Sequence, residues 1–285
     1  MSDSYVVIGI HGLSNKPDEE TLKAWWEKAL LEGLVRNQGR SSGGINFDLC
    51  YWRDIRYDDA DENPEPYTRA KGNGPLPKHK DGLFDAVTGK LGDFADGPID
   101  WAKRYFGADN LADAVLRNKL PDLAAYYDDE GQRNDMRDRF TETLQRHQGK
   151  RMVVIAHSMG SIIAYDVLRS IGRQDTSFRI DHLVTIGSPL GLPQVKYRIQ
   201  EEHDSVRTPS VVRKWTNFAD RRDLVATDSH LADDYAPNFR DVKVKDDRVI
   251  NSYTSEEDGE GDPNYHKSYG YLRTAELSEL LRHFF

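Results

Sequence analysis

The sequence predicts an α/β fold, in which a mostly parallel central sheet carries helices on both of its faces. Short, apolar, β-branched segments alternate with segments of helical periodicity along most of the chain, and no segment repeats. A chain of 285 residues is long enough to bury a substantial core. We therefore expect residues 1–285 to form one α/β domain.

The charge of the chain argues against one class of partner. The formal net charge is −9, and charged residues make up 31% of the sequence. An acidic protein is poorly suited to binding nucleic acid through its phosphates, and no basic, aromatic-rich stripe is present.

The cysteine count and the apolar runs bear on the compartment. The single cysteine, Cys50, excludes an intrachain disulfide, and the first residues, "MSDSYVVIGIHG", lack the basic start and long apolar stretch of a signal peptide. The apolar runs fall short of the ~18 residues that a membrane helix needs. We expect a soluble, cytoplasmic protein without a membrane segment.

The first elements follow from their residue patterns. "SYVVIGIHG" (residues 4–12) predicts a buried strand that ends in glycine. Residues 16–34 begin with a proline and three acids, which is typical of a helix start, and "INFDLCYW" (residues 45–52) predicts a second strand. The apolar positions of the helix share one face: Leu22, Trp25, Trp26, Ala29, Leu30 and Leu34.

Residues 54–110 interrupt this alternation. Their first part is rich in proline, glycine and charge, and Phe84, Val87, Leu91 and Phe94 then recur at helical spacing. We interpret the segment as an irregular and helical cap inserted in the domain, because insertions in α/β enzymes often become lids. Helices that merely pack on the outside of the core are the alternative.

The remaining elements restore the alternation. Pro121 separates two predicted helices, and a polar, alternating strand late in the chain suits a sheet edge. The predicted helices cover residues 111–120, 132–147 and a C-terminal stretch from 266, and the predicted strands cover residues 180–189, 210–220 and 241–251.

One short segment carries the chemistry. In "VVIAHSMGSIIAYDVL" (residues 153–168), Ser158 ends a buried strand and begins an amphipathic helix. The small neighbours Ala156 and Gly160 permit a sharp turn that exposes the serine at the carboxyl edge of the sheet. The amide of Met159 then lies at a helix N-terminus, which favours negative charge. These are the needs of a nucleophile that attacks a carbonyl group; the alternative is an ordinary turn serine.

This segment resembles the nucleophile elbow of the α/β-hydrolase superfamily, in the variant with alanine at the first small position. "AHSMG" together with "GIHGL" is similar to bacterial lipases and esterases, and to serine esterases related to GPI inositol-deacylases. The resemblance extends from Val6 to the C-terminal helix, apart from the insertion. It implies an α/β-hydrolase fold and a serine esterase or lipase-like activity.

The resemblance also implies a Ser-His-Asp triad in the chain order serine, acid, histidine. In "WTNFADRRDLVA", Asp223 precedes a small apolar pair as the acid of the family does, and Asp220 is the alternative. The acid that is not used is expected to cap a turn or to pair with a neighbouring arginine. His266 is the histidine placed between the last strand and the last helix, whereas His157 is expected to be structural.

The oxyanion hole is expected from two backbone amides. Met159 supplies one, and the family's His-Gly-x loop, matched by "IHGLSN", assigns the other to Leu13. His11 then shapes the loop. We expect no cofactor and no metal, because neither His-Glu-x-x-His nor paired Cys-x-x-Cys is present.

These residues predict a serine hydrolase that cleaves carboxylic esters through an acyl-enzyme. The same triad would serve a phospholipase, a thioesterase or an acyltransferase, and a non-catalytic binding module that keeps the fold is the alternative outside enzymes. The polar composition favours a soluble or modest-sized acyl ester over a bulk lipid. The sequence predicts neither the acyl chain nor the oligomeric state.

Overall fold

The central sheet is parallel throughout the described strands. The computed structural model describes residues 5–40, 43–79, 121–226, 230–256 and 261–284. Its sheet has the order β2-β1-β3-β4-β5-β6, and each neighbouring pair is parallel. The strands are β1 (Tyr5–Ile10), β2 (Phe47–Cys50), β3 (Arg151–His157), β4 (His182–Ile186), β5 (Trp215–Ala219) and β6 (Val244–Arg248). The predicted α/β class is confirmed, and the polar strand β6 lies at an edge as expected.

Helices connect these strands. They are α1 (Glu19–Gln38), α2 (Arg53–Arg56), α3 (Pro121–Asp128), α4 (Glu130–Arg146), α5 (Met159–Gln174), α6 (Pro193–His203), α7 (Leu231–Asp234), α8 (Ser268–Leu272) and α9 (Ala275–Leu281). Within the described ranges, none of them combines the length and the apolar character that crossing a bilayer requires.

The two faces of the sheet bury separate apolar layers. Successive side chains of a strand point to opposite faces. On β3, Val154 and Ala156 therefore join one layer together with residues of α4, α5 and α6. Val153 and Ile155 join the other layer with residues of α1, α8 and α9. Helices thus cover both faces, and the carboxyl ends of the strands meet along one edge.

Three helical segments differ from the sequence-based prediction. Helix α3, which begins at Pro121, was not predicted; proline fits the first turn of a helix, where its missing N–H is not needed. Helix α6, which begins at Pro193, was not predicted from its polar sequence. The predicted C-terminal helix is two helices, because Thr274 leaves the helical conformation and its side chain caps the amide of Leu277. The helix predicted at residues 111–120 lies outside the described residues.

The described part of the predicted cap insertion, residues 54–79, is irregular beyond α2 and is anchored on α1. The carboxylate of Glu32, buried in α1, accepts hydrogen bonds from the amide of Ala70 (3.0 Å) and the hydroxyl of Tyr67 (2.7 Å). Arg36 donates to the carbonyl oxygens of Ala70 and Gly74. Residues 80–110 lie outside the described part, so the assignment of 54–110 as a cap stays a prediction.

Candidate active site

Ser158 lies at the junction of β3 and α5 in a rare backbone conformation. Its φ is 53° and its ψ is −128°, a region that costs energy for a residue with a side chain. The turn is held by the Ser158 amide, which donates to the carbonyl of Ile186 (3.1 Å), and by the Ser161 hydroxyl, which donates to the carbonyl of Ser158 (2.6 Å). A Cβ on Gly160 would lie 2.5 Å from the carbonyl oxygen of His11, so the end of β1 leaves no room for a larger residue.

His266 connects this serine to a carboxylate. Its Nε2 lies 3.0 Å from the Oγ of Ser158, and its Nδ1 lies 2.9 Å from an oxygen of Asp223. A proton on Nδ1 donates to the carboxylate and leaves Nε2 free to accept the serine proton. Ser158 is fully buried, whereas 28% of the His266 side chain is exposed. The structure thus brings three of the predicted site residues into one hydrogen-bonded chain.

Asp223 and Asp220 have different partners. Besides His266, the carboxylate of Asp223 accepts hydrogen bonds from the amide of Val225 (2.9 Å) and the hydroxyl of Tyr271 (2.7 Å). Asp220 instead pairs with the guanidinium of Arg222 (2.6 Å). The geometry places Asp223 against the histidine, whereas Asp220 accepts from the amide of Arg222 in a turn and pairs with its guanidinium.

Gly187 gives the histidine and the acid room to meet. It follows β4 and has a φ of 55°, in the left-handed region that favours glycine. A Cβ at this position would lie 2.9 Å from Oδ2 of Asp223 and 3.2 Å from Nδ1 of His266. A side chain here would push the two groups apart.

Two buried side chains donate hydrogen bonds to backbone carbonyl groups of the loop that carries His266. The side-chain amide of Asn251 donates to the carbonyls of Tyr265 (2.8 Å) and Lys267 (3.0 Å). Nε2 of His157 donates to the carbonyl of His266 (2.8 Å), and the carbonyl of Asn264 accepts from the amide of Lys267 (3.1 Å). Four successive carbonyl groups are therefore bonded, which orders the loop on both sides of the histidine.

His157 supports the loop that carries His266, which is the structural role expected of it. Its ring centre is 4.8 Å from that of His266, and burial together with the nearby His266 charge holds its pKa well below the usual range. A neutral His157 does not repel a charged imidazolium at His266. Asn251 was not predicted, and no sequence pattern marks it, because its role depends on contacts with residues 14 and 16 positions further along the chain.

The segments that carry the two predicted oxyanion amides both adjoin Ser158. Met159 is the first residue of α5. A Cβ on Gly12 would lie 2.7 Å from the Cβ of Ser158, so the loop that carries Leu13 runs directly beside the serine. Among the described residues, the amides of Leu13 and Met159 donate no hydrogen bond.

His11 shapes this loop, as expected. Its Nε2 accepts a hydrogen bond from the amide of Trp52 (3.1 Å), which leaves the proton on Nδ1, and Nδ1 donates to the carbonyl of Gly12 (2.8 Å). The ring stacks on Trp52 with centres 4.6 Å apart. Burial and the charge of Lys16 lower the pKa of His11 to about 3, so the ring stays neutral. The Gly12 carbonyl and the Leu13 N–H belong to the same peptide group. The hydrogen bond from His11 therefore also holds the Leu13 amide in place.

One cluster in the described part of the chain has the residue types of a metal site. Asp166, Glu202 and His203 bring their ligand atoms within 4.8 Å of one another. The guanidinium of Arg137 already donates to Asp166 (2.7 Å) and to Glu202 (2.5 Å), and His203 bonds the other oxygen of Asp166 (2.9 Å). Arg137 supplies the positive charge that a cation would bring, so we interpret the cluster as an ion-pair network.

A groove of about 990 Å³ lies elsewhere, beside the amino ends of β4 and β5. Its lining includes His182, Trp215 and Lys245 but none of Ser158, Asp223 and His266. Acidic and basic side chains both line it. The hydroxyl of Thr216 meets His182 there (2.8 Å), but Thr216 lies within β5 and not at a strained turn before a helix, as Ser158 does. The candidate active site is therefore the hydrogen-bonded group of Ser158, His266 and Asp223 at the carboxyl edge of the sheet.

Comparison with known proteins agrees with this architecture. Residues 123–223 match the family model described as "Alpha/beta hydrolase of unknown function (DUF900)". The matched segment begins in α3, contains Ser158 and ends at Asp223, whereas Leu13 and His266 lie outside it. No curated protein and no solved structure shows a significant match. The parallel sheet, the helices on both of its faces and the family match over this segment together show an α/β-hydrolase fold.

Proposed function

We propose that this protein is a serine hydrolase that cleaves carboxylic esters through an acyl-enzyme intermediate. The observation that supports the proposal best is the hydrogen-bonded chain from Ser158 through His266 to Asp223. It starts at a strained residue beside a helix N-terminus, where a nucleophile and an anion-stabilising amide occur together.

The acylation step uses each of these groups. Nε2 of His266 takes the proton of Ser158, and Oγ attacks the carbonyl carbon of the ester. The amides of Leu13 and Met159 donate to the oxyanion that forms. The tetrahedral intermediate then collapses, and the alcohol leaves with the proton that His266 returns. Asp223 keeps the imidazole in the required tautomer and stabilises its charged form.

Deacylation repeats the same sequence with water. His266 removes a proton from a water molecule, which attacks the acyl carbon, and Ser158 leaves with the proton. Both half-reactions place a positive charge on His266. The neutral His157 and His11 nearby add no opposing charge, because the pKa of each is lowered by burial.

Substitution of the serine tests the proposal. We expect Ser158→Ala to abolish ester hydrolysis and labelling by a fluorophosphonate probe, with a loss of about 10⁶-fold in kcat. Ser177→Ala is the matched control, because this exposed serine bonds only within its own turn, to Asp175. Hydrolysis or labelling that survives in Ser158→Ala but not in a heat-denatured sample would contradict the proposal.

A series of p-nitrophenyl esters of increasing chain length separates the candidate substrates. A preference for short acyl chains would support the soluble ester expected from the polar composition. Faster turnover of a thioester or of a phospholipid than of any simple ester would point to the corresponding alternative enzyme. A protein that neither reacts with the probe nor hydrolyses any of these compounds would instead be a binding module.

A further inference from the structure

The peptide group between Leu13 and Ser14 is held at both of its polar ends. The ammonium of Lys16 donates to the carbonyl oxygen of Leu13 (2.5 Å) and also to that of Ser14 (3.1 Å). The amide of Ser14 donates to the carboxylate of Asp122 (2.5 Å). Ser14 has a φ of 73°, in the left-handed region, so the loop is bent at the residue that these charges hold.

Asp122 reaches this loop from a distant part of the chain. It lies in the first turn of α3, and its carboxylate is almost completely buried. Its other oxygen accepts a hydrogen bond from the hydroxyl of Tyr57 (2.6 Å) and lies 3.5 Å from Arg56. The segment after β2 therefore holds Asp122 in place. Through its bond to the Ser14 amide, Asp122 in turn holds the loop after β1.

We propose that Lys16 and Asp122 are positioning residues of the oxyanion loop, which clamp the peptide after Leu13 so that the Leu13 amide stays beside Ser158. The proposal rests on the proposed function, because an oxyanion donor matters only if an ester is attacked. Both bonds of the clamp involve a charged group, and such bonds are roughly twice as strong as neutral ones. A shift of about 1 Å at a reacting group costs up to about 100-fold in rate.

The charge of Lys16 makes the clamp sensitive to pH. Burial, followed by the charge of Lys267, lowers the pKa of Lys16 to about 8, while Asp122 and Asp61 oppose the shift. His11 and His157 also face this ammonium, but both rings are neutral. As the pH rises through about 8, Lys16 loses its charge and its bond to Leu13 weakens. We therefore expect kcat to fall on the alkaline side.

Three variants separate the clamp from a general effect of charge. Lys16→Met should lower kcat at least tenfold at pH 7.5, change KM less than threefold and remove the alkaline limb of the kcat profile. Asp122→Asn should lower kcat and move the limb to lower pH, because a charge that raises the pKa of Lys16 is lost. Asp61→Asn should move the limb in the same direction without lowering kcat at pH 7, since no bond joins Asp61 to the clamped peptide.

Amide chemical shifts test the clamp without turnover. In ¹H–¹⁵N spectra of the full chain, the Ser14 amide should titrate near pH 8 in the wild type and in Ser158→Ala, and it should not titrate in Lys16→Met. A Ser14 amide that ignores pH in the wild type, or an alkaline limb that survives in Lys16→Met, overturns the clamp. If Lys16→Met does not fold, Asp122→Asn replaces it, and a Ser14 titration that is unshifted in that variant overturns the clamp. Failure of the proposed function is read separately, from equal hydrolysis by the wild type and Ser158→Ala.

Discussion

At the scale of single residues, two aspartates three positions apart have different environments. Asp223 has a carboxylate that meets His266, Tyr271 and the amide of Val225. Asp220 meets Arg222 and the amide of Asn251 (2.6 Å). Both are buried, so burial alone does not separate them. The partner of each carboxylate decides its role.

We expect Asp223→Asn to be far more damaging to activity than Asp220→Asn. An amide at position 223 favours the wrong imidazole tautomer of His266, which costs up to about 10⁴-fold in kcat. An amide at position 220 keeps an acceptor for Asn251 and loses an ion pair with the partly exposed Arg222, so its effect falls mainly on stability. Steady-state kinetics and urea unfolding of both variants measure the two effects. Equal losses of activity, or the reverse order, would remove Asp223 from the triad.

At the scale of the elements, Asn251 connects two segments that must be in register. Its own amide donates to Asp220, and its side chain donates to the loop that carries His266. Its carbonyl accepts from Arg222 (3.3 Å). A Cβ on Gly270 would lie 1.6 Å from Oδ1 of Asn251, so the start of α8 is shaped around this side chain. The turn after β5 and the loop before α8 are thus held together.

Substitution of Asn251 tests this connection. Asn251→Ala removes the donor of the Tyr265 carbonyl and one of two donors of the Lys267 carbonyl, so we expect a loss of stability of about 1–3 kcal/mol and a fall in kcat. Asn238→Ala is the matched control, because its buried side-chain amide also donates to two carbonyls, those of Pro209 and Val212. The control should lose similar stability and keep its kcat. Equal kcat in the two variants would show that Asn251 is only structural.

At the scale of the whole molecule, folding buries three histidines in their neutral form. Burial is the main cause that lowers the pKa of His182 to about 4, of His11 to about 3 and of His157 well below its usual range. In the unfolded chain each would bind a proton near pH 6.5. Between pH 6.5 and about 4 the unfolded state therefore holds more protons than the folded state, and stability falls as the pH falls.

We expect the free energy of unfolding to decrease by about 4 kcal/mol per pH unit below pH 6, since each of the three histidines contributes about 1.4 kcal/mol per unit. Urea unfolding at pH 7, 6 and 5 measures this slope. Among the described residues, the side chain of His182 bonds Thr216 (2.8 Å), and it lies away from Ser158. His182→Gln should therefore remove about a third of the slope and keep activity. An unchanged slope in this variant would contradict the assignment.

The agreement between sequence and structure differs from element to element. The strands β1 to β5 were predictable because they lie in short, largely apolar runs beside turn-forming residues, and β6 was placed at an edge by its polar pattern. Helix α6 and the break at Thr274 were not, since a polar helix and a capped break depend on what packs against them. Residues 54–79 were expected to be irregular. Their attachment to Glu32 and Arg36 was not predictable, because these residues lie on α1, which precedes the segment by one strand.

The sequence by itself determined the α/β class, the strand-to-helix turn at Ser158 and the order of the candidate serine, acid and histidine, because local periodicity and chain order are properties of the sequence. Only the tertiary structure decided which aspartate meets His266 and which groups hold the loops around it. The contacts of Asn251, His157 and Asp122 join residues far apart in the chain. Burial, which only folding creates, lowers the pKa of His157 and of Lys16.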